Sequence, residues 1–185
     1  MTTLVMLLRF MPEGLAATEI PADFQAIIFL KVLKFDRSLE ARVKSDFTIG
    51  IVHIDGSESS KEHCKEIAGK FKEKIGSEKL HGKSVRLVEI AMPATADPAV
   101  VFDAKDLNAL YVCKNMGEPA SKLLLMAKEK KVLTYSDSRD YLDKGLSIGI
   151  KLESGKPKII INKKVSDEMG ASFDPRLLQL AEVLE

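Results

Sequence analysis

Asp55 closes an apolar run, Phe47 to Asp55 (FTIGIVHID), and Gly56-Ser57 follows it. In an open α/β sheet a carboxylate at the carboxyl end of a central strand stands where such folds place ligand-binding groups. The phosphoacceptor aspartate of a receiver domain would also sit there. That chemistry needs a magnesium ion held by an acidic pair closing an earlier strand, and no such pair precedes Asp55. Asp55 therefore reads as a turn residue with Gly56, or as one wall of a ligand crevice shared with Ser57, Asn115 and Ser136, which fall at the ends of neighbouring apolar runs. The segment Gly76-Ser77-Glu78-Lys79-Leu80-His81-Gly82-Lys83-Ser84 imitates a phosphate-binding loop. It carries five residues between its glycines where that motif has four, and it leaves a helix to enter a strand, so its amides would not converge on a phosphate. It reads as a helix cap and connector. His53 lies inside the apolar run and reads as a packed histidine, while His63 and His81 fall in lysine-rich surface and are assigned no role. No G-x-S-x-G elbow, G-x-G-x-x-G turn or H-E-x-x-H helix is expected. No catalytic residue, metal site or cofactor is expected, and a hydrolase would need a nucleophile beside a base that the sequence does not announce.

Cys64 and Cys113 are the two cysteines of the chain and stand 49 positions apart with three histidines in all, which is not the spacing of a structural zinc site. Cys64 falls on the apolar side of a helical pattern and Cys113 ends a strand pattern. They read as two buried thiols, with a single bridge in an oxidising compartment as the alternative.

These residues must be positioned by a chain of 185 residues, 45% hydrophobic and 30% charged, which suits one globular domain rather than a disordered chain. Lys and Arg number 28 against 27 Asp and Glu, a net charge of +1, which lacks the basic excess that phosphate backbones attract, so nucleic acid is excluded as a partner. No stretch reaches the roughly 20 apolar residues that span a bilayer, so direct membrane insertion is not expected. Residues 1–21 read as a leader or truncated signal segment. Thr3 to Leu8 is apolar, and Gly14-Leu15-Ala16-Ala17 resembles a signal-peptidase site. Residues 22–185 read as the domain.

Within it, Ala22 to Leu39 reads as a helix apolar on nearly every side except at Lys31 and Lys34. Phe47 to Asp55 reads as a strand buried on both faces. Ser59 and Glu62 form a capping box ahead of a one-faced helix carrying Cys64, Ile67, Ala68, Phe71 and Ile75 and closed by Gly76. Ser84 to Met92, Ala109 to Cys113 and Val132 to Tyr135 read as strands, Asp103 to Leu107 as a turn, and Ala120 to Lys130 as a helix opened by Pro119. Leu146 to Leu152 and Lys158 to Ile161 flank Glu153-Ser154-Gly155-Lys156 as an antiparallel hairpin. Asp174 and Pro175 then open a last helix with Leu177, Leu178, Ala181 and Leu184 inside. Alternating strands and helices require right-handed crossovers, so the fold class is α/β: one three-layer domain with a mainly parallel sheet, helices on both faces, and a C-terminal antiparallel hairpin followed by a helix. The leading helix offers more apolar surface than one sheet face covers. Ile28, Phe29, Val32, Leu33 and Phe35 are therefore candidates for a partner or dimer interface, unless the N-terminal residues or the last helix cover them.

Several segments resemble one family. Gln25-Ala26-Ile27-Ile28-Phe29-Leu30-Lys31-Val32-Leu33-Lys34-Phe35-Asp36-Arg37 is similar to the opening helix of the YfiR-like family of exported bacterial regulators. Val132-Leu133-Thr134-Tyr135-Ser136, Gly145-Leu146-Ser147-Ile148-Gly149-Ile150, Lys156 to Asn162, Gly170 and Leu177 to Ala181 follow the usual order of that family, and the resemblance runs from about Ala22 to Glu185. It implies a periplasmic, non-enzymatic domain, often a homodimer, that binds and restrains a membrane-bound signalling protein such as a diguanylate cyclase (cyclic-di-GMP signalling) or a sensor kinase. Arg37-Ser38 replaces the Trp-Pro that commonly closes the first helix in the family, and two cysteines stand where the type member has four. A reading of a different class keeps the crevice of Asp55, Ser57, Asn115 and Ser136 for a periplasmic small-molecule-binding protein.

Overall fold

A strand buried on both faces has to sit inside a sheet, and in a computed structural model describing residues 19–185 except 44, 77, 78 and 104, the run FTIGIVHID is β1 (Phe47–Asp55), hydrogen-bonded on both sides. Its alternation divides two cores. Ile49 and Ile51 face one layer, and Val52 and Ile54 the other. Gly50 is squeezed between them and a neighbouring strand, since a Cβ there would stand 2.8 Å from Leu110 Cδ1.

The first helix, α1 (Ala22–Lys34), stops at Lys34 and does not run to Leu39. Asp36 is the reason: its side chain is fully buried, and its Oδ1 accepts from Ser38 N–H (3.0 Å), Ser38 Oγ (2.7 Å) and Ser172 N–H (2.9 Å), while Oδ2 meets the Arg42 guanidinium. A carboxylate held by those donors bends the chain, and a second short helix, α2 (Leu39–Arg42), follows. Beyond β1 comes α3 (Glu58–Ile75), capped by Ser57, whose Oγ accepts from Ser60 N–H, two residues ahead of the expected cap at Ser59.

The chain continues through β2 (Lys79–Leu80), β3 (Lys83–Pro93), α4 (Ala99–Phe102), β4 (Ala109–Val112), α5 (Pro119–Glu129) and β5 (Leu133–Ser136). The closing part holds β6 (Ile148–Glu153), β7 (Lys156–Asn162), α6 (Lys163–Glu168), α7 (Pro175–Leu178) and β8 (Glu182–Leu184). The last helix is a single turn because the edge of β7 takes up the chain instead, Val183 pairing in parallel with Ile161. The expected helix over Ala181 and Leu184 is thus a short strand.

The eight strands of the described residues form one sheet in the order β2-β3-β1-β4-β5-β6-β7-β8. β3, β1, β4, β5 and β6 run parallel; β2 joins β3 antiparallel, and β6 and β7 form the expected antiparallel hairpin. Residues of α1, α3 and the segment from Met169 to Leu177 share one core with Ile49, Tyr111 and Tyr135; residues of α5 share the other with Val52, Leu110 and Val112. The sheet is therefore covered on both sides. The chain goes outward from β1 to β3 and then returns to the opposite flank at β4, so the strand order reverses between β1 and β4. Ligand-binding groups of open α/β sheets gather beyond the carboxyl ends of the strands at that point.

Candidate functional site

The leader or signal segment of residues 1–21 lies outside the described residues up to residue 18. The apolar face of α1 is not free. Ile28 is 1% exposed and Phe29, Val32 and Leu33 are fully covered within this one chain, with Phe29 stacked on Tyr135 (ring centroids 4.5 Å) and edge-on to Phe71 (5.8 Å). This corrects the docking-helix expectation: α3, the sheet and the C-terminal segment bury the surplus, so these four residues form core. Phe35 is half-buried beneath the Arg176 guanidinium.

The crevice candidates do not converge either. Asp55 and Asn115 are exposed, Ser57 is committed to its helix cap, and Ser136 is buried, donating to Val112 O (2.7 Å) and accepting from Ser138 N–H (3.1 Å). Other residues meet beyond the carboxyl ends of the strands. Lys114 follows the end of β4, Asp137 follows β5, His63 comes from the first half of α3 and Gln25 from the first turn of α1, so four elements meet at the reversal of strand order.

Asp137 is the centre. Its side chain is 4% exposed, and it accepts from Lys114 Nζ (2.7 Å) and Gln25 Nε2 (2.9 Å) on Oδ2; the Tyr111 hydroxyl stands 3.3 Å from Oδ1 while donating to Gln25 Oε1. Gln25 Nε2 also donates to Ile20 O (2.8 Å), and Lys114 Nζ reaches Glu19 at 3.3 Å. His63 accepts the Lys114 backbone N–H on Nδ1 at 3.0 Å, so its neutral ring carries the proton on Nε2, 3.8 Å from Asp137 Oδ1.

Each shift in acidity has a visible cause. Burial, with Lys114 nearby, holds His63 below its ordinary 6.5 against the pull of Asp137, Glu66 and Glu19. Burial works against the charge on Lys114, but its hydrogen bond to Asp137 and the attraction of Asp137 and Glu19 outweigh that and raise it. Burial first, then Asp137, pushes Tyr111 well up, so it stays a neutral donor. Two small clefts open on this cluster: one of about 100 Å³ beside Gln25, His63 and Lys114, and one of about 210 Å³ beside Lys114, Asp137, Ile150 and Lys151.

This arrangement binds and positions charge. Among the described residues the partners of His63 and Asp137 are a lysine, a glutamine and a tyrosine, and neither holds a serine, threonine or cysteine. One apparent mark of hydrolysis has to be set aside. Gly145-Leu146-Ser147-Ile148-Gly149 carries the letters G-x-S-x-G, but it enters β6 rather than turning from strand to helix, and Ser147 Oγ is buried in donation to Thr134 O (2.7 Å). Among the described residues no cluster of His, Cys, Asp and Glu could hold a metal ion.

Beside the cluster, the Cys64 thiol donates to Ile51 O (4.0 Å); the neighbouring Cys113 holds Cys64 below the usual thiol range against the effect of burial, and burial pushes Cys113 well up. Both are buried. A mild oxidant is expected to join them within one molecule, with intact-mass analysis showing the loss of two hydrogens and urea unfolding showing about 2 kcal/mol of added stability, the chain-entropy gain being set against the strain of closing the pair. Dimers linked through cysteine instead would overturn this expectation.

Sequence reasoning passed over His63 because lysines surround it, and over Gln25 because its helix is so apolar. Gln25 did carry a signal, being a polar side chain in the first turn of a helix apolar on almost every side.

A family model described as YfiR/HmsC-like matches residues 22–182. No curated protein matches the chain significantly. Similar solved structures include an ABC domain in complex with L-Trp from Streptococcus pneumonia (15% identity, TM-score 0.59, covering 89% of this chain and 62% of that one) and a conserved domain protein from Vibrio cholerae O1 biovar El Tor (13%, 0.63, 89% and 60%). A third is the ligand-free, open form of CD0873, a substrate binding protein with adhesive properties from Clostridium difficile (14%, 0.54, 80% and 57%). At these identities the likeness is one of fold, and the chain spans about three fifths of the length of each.

Proposed function

The chain belongs to the YfiR/HmsC-like family, and on that premise we propose that it is an exported, non-enzymatic regulator that binds and restrains a membrane-bound signalling protein, such as a diguanylate cyclase or a sensor kinase. The family match over residues 22–182 is the observation that carries this reading. The site is consistent with it, since its carboxylate is answered by Lys114, Gln25 and Tyr111 of the same chain. No helix of the described residues is long and apolar enough to cross a membrane. The buried face of α1 is not offered as the docking surface, and homodimerisation belongs to the same proposal.

The test is crosslinking in the periplasm followed by purification of the tagged protein, together with measurement of cellular cyclic di-GMP after deletion of the gene. Recovery of one membrane signalling protein, whose output rises in the deletion strain, supports the reading. Unchanged output of every membrane partner recovered would reject it.

A second reading is favoured by the polar cluster at the reversal of strand order and by its clefts: capture of a small polar molecule there. Two of the similar folds are described as an L-Trp complex and a substrate binding protein. A thermal-shift panel of amino acids and small carboxylates decides it, because a ligand of the folded state raises the melting temperature by mass action. A shift that disappears in Lys114→Met supports capture, and no shift across the panel retires it.

A further inference from the structure

We infer that His63 is a pH-sensitive latch that fastens helix α3 to the loop after β4. This goes beyond restraint of a partner or capture of a ligand and depends on neither. Its basis is a hydrogen bond that only the neutral ring can make. Nδ1 accepts the Lys114 backbone N–H at 3.0 Å, and a protonated imidazole carries hydrogens on both nitrogens, so donor would face donor. The ring has little room to avoid that, being 13% exposed and lying against Tyr111 at a centroid distance of 6.0 Å.

The charged and titratable groups facing the ring come from every element packed around it. Asp137 approaches from the loop after β5, Lys114 and Tyr111 from β4 and its loop, Glu66 from α3 itself, and Glu19 from the segment before α1. The three carboxylates favour a proton on the ring; burial and Lys114 oppose it, and the opposing side prevails. When acid does place a proton there, Nε2–H and Nδ1–H both need acceptors. Among the described residues the carboxylate within 4 Å of the ring is Asp137, 3.8 Å from Nε2 and already engaged by Lys114 Nζ at 2.7 Å. The ring therefore turns toward Asp137, competes with that ammonium and releases the Lys114 amide. His63 and Lys114 together wall one of the two clefts, so release of the latch reshapes the crevice.

The sign follows from linkage. The folded state holds His63 below its ordinary 6.5, so the latch is fully fastened above that value and loosens as pH falls beneath it. The experiment is NMR of the full chain from about pH 7.5 to about pH 5, following the His63 Cε1–H resonance and the Lys114 amide protection factor after correction for intrinsic exchange. Lys114 protection is expected to fall severalfold, with the same midpoint as the His63 titration. His63→Asn, whose Oδ1 can accept the same N–H without titrating, is expected to abolish the fall. Constant protection through the His63 titration, or an equal fall in His63→Asn, would overturn the latch. Should that variant not fold, the two midpoints in the native protein still decide, and unequal midpoints overturn it.

Discussion

Asp137→Ala is expected to cost about 3 kcal/mol of folding stability, read as a lower urea midpoint with an unchanged slope. The carboxylate answers the Lys114 ammonium and the Gln25 amide and stands beside the Tyr111 hydroxyl in a site only 4% exposed. Truncation removes one partner from all of them at once, and an unanswered buried donor costs more than a hydrogen bond is worth. The loss stays at the lower end of the range for broken buried pairs because Lys114 is 23% exposed and can turn to water or to Glu19. Asp55→Ala is the control: an exposed carboxylate outside the cluster is expected to stay within about 0.5 kcal/mol of the parent. Equal losses at both positions would show that Asp137 is not the keystone of the crevice.

Phe29→Ala is expected to be costlier still, about 4 kcal/mol, by calorimetry or urea unfolding. The ring is fully buried between Tyr135 and Phe71, and its loss leaves a cavity bounded by two other aromatic rings and the sheet, which cannot collapse to fill it. The same measurement separates core from docking surface. A charged side chain at Phe29 or Leu33 unfolds the monomer if they are core. A folded, fully stable monomer that has lost only a partner would restore the docking-helix view of α1.

The alternation of Phe47 to Asp55 was legible because two faces of burial leave an uninterrupted apolar run, and the strand boundaries agree residue for residue. The order of strands and helices was legible for the same reason. The hydrophobic surplus of α1 was legible as a fact, but its fate was not: composition says that Ile28, Phe29, Val32 and Leu33 need cover, and only the closing of α3 and the C-terminal segment over them says what provides it. The residues that meet beyond the strand ends were missed by single steps, Asn115 standing beside Lys114 and Ser136 beside Asp137. A strand alternates its side chains between faces, so at its end one position decides whether a group points into a layer or across the top of the sheet. His63 was invisible for a different reason. Its meaning comes from an amide 51 positions further along the chain, and no local pattern encodes that meeting.

The bend after α1 has a bearing on the order of events during synthesis. Asp36 is held by Ser172, Arg37 pairs with Asp174, and Phe173 bridges back to Asp36, so the end of the first described helix is locked by residues about 136 positions further along the chain. Contacts this distant in sequence are slow to close and reward the chain only once both ends exist. The segment around Asp36 thus cannot settle until Ser172 to Asp174 have been made, and any stall or clip upstream of Gly170 leaves it without its fastening.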